Sequence, residues 1–246
     1  MPIFLFLIIA SALVFLNAIW HPFVHDDIVF ILQNPHIAQW DNLKDIFFAS
    51  SNTAHTQQGW INAYYRPILE LFYRCEYQLF GFNPAGFHLI NVIIHTINGL
   101  LVFALSCRLG FQRTMAGVIS LIFLIHPIQT ESVACVSGIS NLLAGLFILV
   151  TLHSYYLHRY LLAVLTFGLA LLTKEQAIVL LPLIILVDVY KKQNYKYFLW
   201  FVFAFLTLMF FFLRAISTGS HLIDDILSSP GLLVLRIKSI PQTILT

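Results

Sequence analysis

The chain has 246 residues, 59% hydrophobic and 10% charged, with a mean hydropathy of +0.86 and a formal net charge of +2. Soluble domains run at roughly 45–50% apolar and about 25% charged. So few charges cannot cover a water-soluble globule of this length, and disorder, collagen and coiled coil are excluded by the same composition. What remains is an all-α polytopic membrane protein, with 23 Phe to face lipid and pack helices. Cys75, Cys107 and Cys135 are too scattered for a disulfide scaffold or a zinc site.

A spanning helix needs roughly 20 apolar residues. The first is Ile3–Trp20, which lacks a basic leader and a small-x-small cleavage site and so reads as an uncleaved signal anchor. A stretch of mixed polarity, His21–Ala85, follows. Apolar runs then recur at Gly86–Cys107, Thr114–Ile125, Ile139–Leu157, Tyr160–Thr173, Ala177–Tyr190 and Tyr197–Leu213, giving about seven transmembrane helices. The fifth and sixth runs could form one long helix with Lys174-Glu175 at its centre. Charge at mid-membrane is costly, so a hairpin with that pair at its tip is expected. Seven spans put Arg108, Arg113, Arg159, Lys191, Lys192 and Lys196 on one side, which the positive-inside rule makes cytoplasmic. The N-terminus is then cytoplasmic as well. Ten of the eleven acids fall on the other side, Asp188 being the exception. An extracytoplasmic active site would gather them there; so would avoidance of mixed charge in short inner loops. Beyond Ser217 the tail is polar, then acidic at Asp224-Asp225, then amphipathic through Leu232, Leu233, Leu235 and Ile237, as in an interfacial helix.

The first outer loop, residues 21–85, is rich in aromatic residues and therefore not compositionally disordered. From Tyr65 its pattern turns helical. Ile68, Phe72, Cys75 and Leu79 fall on one face and Arg66, Glu70 and Arg74 on another at i, i+4 spacing. Pro67 suits a first turn, and an amphipathic interfacial helix is predicted. Asp26-Asp27 lies just past the first span. Paired carboxylates can accept a proton or bind a divalent cation, and one can equally be a helix N-cap. His88, Asn91, His95 and Asn98 step by 3, 4 and 3 along the second span. Such a stripe must face protein or water, to bond neighbouring helices or to touch substrate. Pro127 after His126 breaks the helix ladder ahead of Glu131. Irregular backbone at membrane depth is tolerated where it is buried in protein or lines a wet cavity. Lys174-Glu175 can be a plain surface ion pair, and Arg214 an interfacial anchor.

These words also stand in a familiar order. His25-Asp26-Asp27 with Asn34-Pro35, Tyr65-Arg66-Pro67, Gly81-Phe82-Asn83-Pro84 with Gly86-Phe87-His88, Asn91 with His95, His126 through Val133, and Lys174-Glu175 resemble the N-terminal membrane half of GT-C glycosyltransferases that precede TPR repeats. The nearest group is the transmembrane O-mannosyltransferases with TPR repeats and their bacterial relatives. The resemblance runs from about His25 to the tail. Two positions differ: Gly138-Ile139-Ser140-Asn141 stands where relatives often have Gly-Arg-x-Asp, and His25 where they often have Trp.

The resemblance implies a single GT-C-like domain over 1–246, the N-terminal part of a longer protein in a prokaryotic inner membrane or the ER membrane. It implies a polyprenyl-phosphate-linked sugar as donor, mannose in eukaryotic members, and a protein or glycan acceptor; no nucleic-acid partner is expected. Asp26 and Asp27 match the acidic pair, Glu131 the acid after the His-Pro word, and Lys174-Glu175 the Lys-Glu word. Asp26 is then the candidate base, since partial desolvation makes a carboxylate a better proton acceptor. Asp27 or Glu131 would orient it or hold sugar hydroxyls. Lys174, followed by Arg66 and Arg214, would neutralise the phosphate. His88, Asn91, His95, His126 and Glu175 are substrate-binding or structural polar groups. The rival reading is a transporter or lipid flippase with a charged outer vestibule, which should place ionisable groups near mid-membrane.

Overall fold

The computed structural model describes residues 2–40, 43–48, 65–191 and 196–228. Trp60, Tyr64, Lys192 and the amphipathic tail from Leu232 lie outside them. Among the described residues the protein is all-helical. In chain order the helices are α1 (Pro2–Phe15), α2 (Leu43–Phe48), α3 (Pro67–Phe80), α4 (Pro84–Arg108), α5 (Arg113–Ile125), α6 (Thr130–Ala134), α7 (Ile139–Tyr156), α8 (Tyr160–Thr173), α9 (Leu180–Lys191) and α10 (Tyr197–Ser228).

Among the described residues, four helical stretches are long and apolar enough to cross a membrane: Ile3–Trp20, Pro84–Arg108, Val136–Tyr156 and Tyr197–Ser217. A fifth arises if Arg113–Ile125 and Pro127–Ala134, bent by 46°, count as one broken span. The break falls at His126-Pro127, where a ring without an N–H ends the α5 ladder. The runs predicted as fifth and sixth spans form helices of only 14 and 12 residues. At about 1.5 Å per residue neither matches a hydrocarbon core of ~30 Å. They are not one continuous helix: Lys174 is extended (φ −157°, ψ 132°) and a 3-10 turn, Glu175–Val179, precedes α9. The polar residues from Ser217 do not end the last run, as the sequence suggested. α10 continues through Ser217-Thr218-Gly219-Ser220 to Ser228, with no proline before Pro230 to stop it.

α4 is the hub. It packs on α1 and α5 on one side and on α7 on the other, and α7 in turn packs on α8. Small residues allow the close approach. A Cβ on Gly99 would sit 2.3 Å from Leu124 of α5, and Ser120 donates to the Gly99 carbonyl at 2.7 Å. One apolar core lies among α1, α4 and α5 (Leu7, Phe103, Ala116, Leu124), and another among α8, α9 and α10 (Phe167, Leu171, Leu180, Phe203). A third joins α3, α4, α7 and the first loop through Ile31, Leu69, Tyr73, Phe87, Val136 and Leu143. Outward-facing Leu13, Phe198, Phe201, Leu208 and Phe212 stay well exposed, as lipid-facing positions should.

α3 is amphipathic as expected, with its polar face turned inward. Glu70 and Arg74 are buried and bridge at 3.1 Å, at i, i+4, while Cys75 and Leu79 of the apolar face are exposed. Asn34 donates to Glu70 at 3.4 Å and Arg74 to the Gln39 carbonyl, so the polar face staples the first loop to the helix.

Candidate functional site

The chain breaks regular helix at three places on one end of the bundle. Past α1, a 3-10 turn (Leu16–Trp20) leads to His25, whose φ of +48° puts a side-chain-bearing residue in the left-handed region. A π-helical turn, Ile28–Leu32, follows. Such turns recur at functional sites. Between α5 and α7 the chain runs through a 3-10 turn, the short α6, and a second 3-10 turn, Val136–Gly138. The third break is Lys174. These segments and the start of α3 enclose a cavity of about 650 Å³. Asp26, Arg66, Tyr73, Glu131, Asn141 and Lys174 line it, with His25, Cys135, Ser137 and Ser140 also in its wall.

The neighbouring aspartates differ in environment. Asp26 is exposed and faces the cavity. Asp27 is fully buried, and its carboxylate accepts from the backbone N–H of Ser137 (2.7 Å), Val24 (3.1 Å) and Val136 (3.4 Å). A buried carboxylate held by backbone donors is strongly tied. Asp27 thereby clamps the 136–138 turn against the first loop across more than 100 residues of sequence. That turn sits close under α6: a Cβ on Gly138 would lie 2.4 Å from the Ser132 carbonyl oxygen and 2.7 Å from that of Glu131. Only glycine permits this approach without backbone displacement.

The cations are held by partners the sequence did not pair. Lys174 does not bridge its neighbour Glu175; its ammonium donates to the Asn141 side chain. Burial pushes the Lys174 ammonium below its ordinary value, and the Arg66 charge adds to this. Arg66 instead bridges Glu175, with Nη2 3.1 Å from Oε1. Burial raises the Glu175 carboxyl, but the hydrogen bonds and charge of Arg66 outweigh it and hold the group net below the usual value. Arg214 on α10 is half-buried and acts on the same carboxylate through its charge; it does not line the cavity. Cys135 is a poor nucleophile, since burial and then the charges of Asp27, Glu131 and Asp26 push its thiol up.

The α4 stripe lies away from the cavity. Asn91 donates to the Cys135 carbonyl at 2.8 Å, His95 Nε2 meets the Leu124 carbonyl at 2.9 Å, and Asn98 donates to the Leu142 carbonyl at 2.9 Å. Buried His88 lies beside the His21 backbone and the Asp27 carboxylate, and does not line the cavity. His126 is exposed, and its Nδ1 accepts from the Ile128 N–H, capping the turn after the break. Of the predicted residues, then, Asp26, Glu131, Lys174 and Arg66 share one cavity. Asp27 and Glu175 support its wall, and the stripe holds helices together. Asn141 and Tyr73 were missed. Asn141 stood in view in the segment after the His-Pro word, but nothing in its spacing linked it to Lys174.

The matched relatives are protein O-mannosyl-transferases. The chain is 29% identical over 189 residues to protein O-mannosyl-transferase TMTC3 of Mus musculus, covering 73% of this chain and 20% of that protein. It is 31% identical over 208 residues to protein O-mannosyl-transferase TMTC2 of Homo sapiens, covering 77% and 24%. A Caenorhabditis elegans protein O-mannosyl-transferase is 30% identical over 196 residues, 75% of this chain and 27% of the relative. The chain therefore spans about a fifth to a quarter of the curated relatives it matches. No family model and no solved structure matches. The resemblance to the O-mannosyltransferases thus holds over most of this chain.

Proposed function

We propose that this chain is the membrane portion of a glycosyltransferase of the O-mannosyltransferase kind, with its reaction in the cavity around Asp26. The donor is a polyprenyl-phosphate-linked sugar, mannose by analogy with the relatives' names. The acceptor is a hydroxyl on a protein or glycan. The observation that carries this reading is the meeting of Asp26, Glu131, Lys174 and Arg66 on one cavity of about 650 Å³, a volume typical of ligand sites.

Each residue has a chemical task there. Asp26 takes the proton from the acceptor hydroxyl as its oxygen attacks the anomeric carbon. The bond from that carbon to the phosphate oxygen breaks, and the configuration inverts. The phosphate leaves with an added negative charge, which Lys174 and Arg66 stabilise. Lys174 is aimed by Asn141 and Arg66 by Glu175. Glu131 orients sugar hydroxyls, and Asp27 keeps the wall in place. The site opens on the extracytoplasmic or lumenal face, opposite the loops with Arg108, Arg113 and Arg159, in a GT-C-like arrangement of helices. The membrane is a prokaryotic inner membrane or the ER membrane, as the resemblance implies. The transporter alternative is not favoured, because the cavity's ionisable groups gather at breaks on one end of the bundle.

Asp26→Asn in the full-length protein, reconstituted with labelled donor, should lower transfer by about 10³-fold with expression intact. Undiminished turnover would remove Asp26 as the base.

A further inference from the structure

A second cavity lies on α1, α4 and α5, walled by Ile3, Phe4, Phe103, Ala104 and Cys107, with a volume of about 570 Å³. Arg108 and Arg113 complete its lining. Nothing in the transfer chemistry uses it, and none of its residues lines the Asp26 cavity.

The two arginines are set by a rigid turn. Tyr156 of α7 donates to the Arg108 carbonyl at 2.7 Å, fixing the end of α4. Gly110 then takes a φ of +97°, open to glycine without strain, while the Phe111 N–H returns to the Ser106 carbonyl at 3.2 Å. The chain re-enters helix at Arg113, the first residue of α5, where the helix dipole disfavours a cation. Both arginines are exposed, and neither forms an ion pair among the described residues. Two exposed arginines with no ion pair among the described residues thus line an otherwise mostly apolar groove, on helices whose outer faces are themselves apolar.

We propose that this groove binds an anionic phospholipid, its phosphate between Arg108 and Arg113 and an acyl chain along Ile3, Phe4, Phe103 and Ala104. Guanidinium is suited to phosphate by its forked donors and by charge. A soluble phosphate compound would leave the apolar walls unused, whereas a lipid fills both parts. Positive-inside asymmetry assigns this turn to the cytoplasmic leaflet, where anionic lipids concentrate.

The test is native mass spectrometry of the intact protein, titrated with phosphatidylglycerol or with phosphatidylcholine of the same acyl chains. Phosphatidylglycerol should bind roughly twenty-five-fold more tightly, about fivefold for each arginine. Arg108→Gln/Arg113→Gln should abolish that preference. Ala104→Phe keeps both charges but fills the groove, and should weaken phosphatidylglycerol binding. Inorganic phosphate in excess should not displace the lipid. Equal binding of the two lipids by the unaltered protein, a preference that survives the double substitution, lipid affinity untouched by Ala104→Phe, or displacement by inorganic phosphate would each overturn the proposal.

Discussion

The cavity end of the bundle and the interior of α4 both carry polar residues in a mostly apolar chain, and they use them in opposite ways. Along α4, Asn91, His95 and Asn98 each use one polar atom to meet a backbone carbonyl of a neighbouring segment, and so hold helices together. Around the cavity, Asp26, Glu131 and Lys174 turn toward open space, and a second set of polar groups holds the wall behind them. The difference comes from the backbone. A continuous helix meets its neighbours with its side chains, whereas a break such as His126-Pro127 or Lys174 leaves room between elements. Polarity in a membrane chain marks chemistry where the helix is interrupted and mainly marks assembly where it is not.

Substitutions can break or sharpen that contrast. After Asp26→Asn, the largest expected effect is that of Lys174→Met, a loss of about 10²-fold in transfer with donor binding weakened, read by steady-state kinetics on the full-length protein. Asp27→Ala should act on stability first. It strips three backbone N–H groups of their acceptor and should lower the unfolding free energy by about 3 kcal/mol, seen as a lower melting temperature in detergent. Asn98→Leu should cost about 1 kcal/mol or less and leave transfer unchanged, since interhelical hydrogen bonds within membranes are modest. Transfer lost on Asn98→Leu would contradict the separation of the two regions.

A separate, pH-dependent effect concerns Glu76 on α3. Its carboxylate is 2% exposed, neither oxygen has a hydrogen-bond partner among the described residues, and burial raises its pKa from 4.5 to about 9. The folded state therefore holds a proton between these values that the unfolded chain has released. Stability should fall as pH rises from about 4.5 toward about 9. Glu76→Gln should flatten that slope and raise the melting temperature by a few degrees at pH 8.

Much of this was legible beforehand. Hydrophobic run lengths placed α4, α5, α7 and α8 to within a few residues, and Pro127 located the bend. The i, i+4 spacing of Glu70 and Arg74 foretold their bridge. Asp26, Glu131, Lys174 and Arg66, grouped beforehand by the resemblance, line one cavity in the structure. Pairings across distant sequence were not legible. Arg66 and Glu175 are 109 residues apart and Asn141 and Lys174 are 33 apart. Neither spacing is periodic on one element, so only tertiary packing decides them. Nor could composition separate Asp26 from Asp27, adjacent and chemically identical. The left-handed turn at His25 and the backbone donors of Val136 and Ser137 make one exposed and the other buried. The inward polar face of α3 was hidden for a related reason. Periodicity shows that a helix has two faces but not which one meets protein.

The most direct test is photolabelling of the full-length protein with a polyprenyl-phosphate sugar analogue carrying its reactive group on the sugar. Peptide mapping should find the label on the cavity wall, at Tyr73, Glu131 or Asn141, and Lys174→Met should reduce it. Label confined to the outward faces of α1 and α10, and indifferent to Lys174, would contradict the claim that this cavity holds the donor.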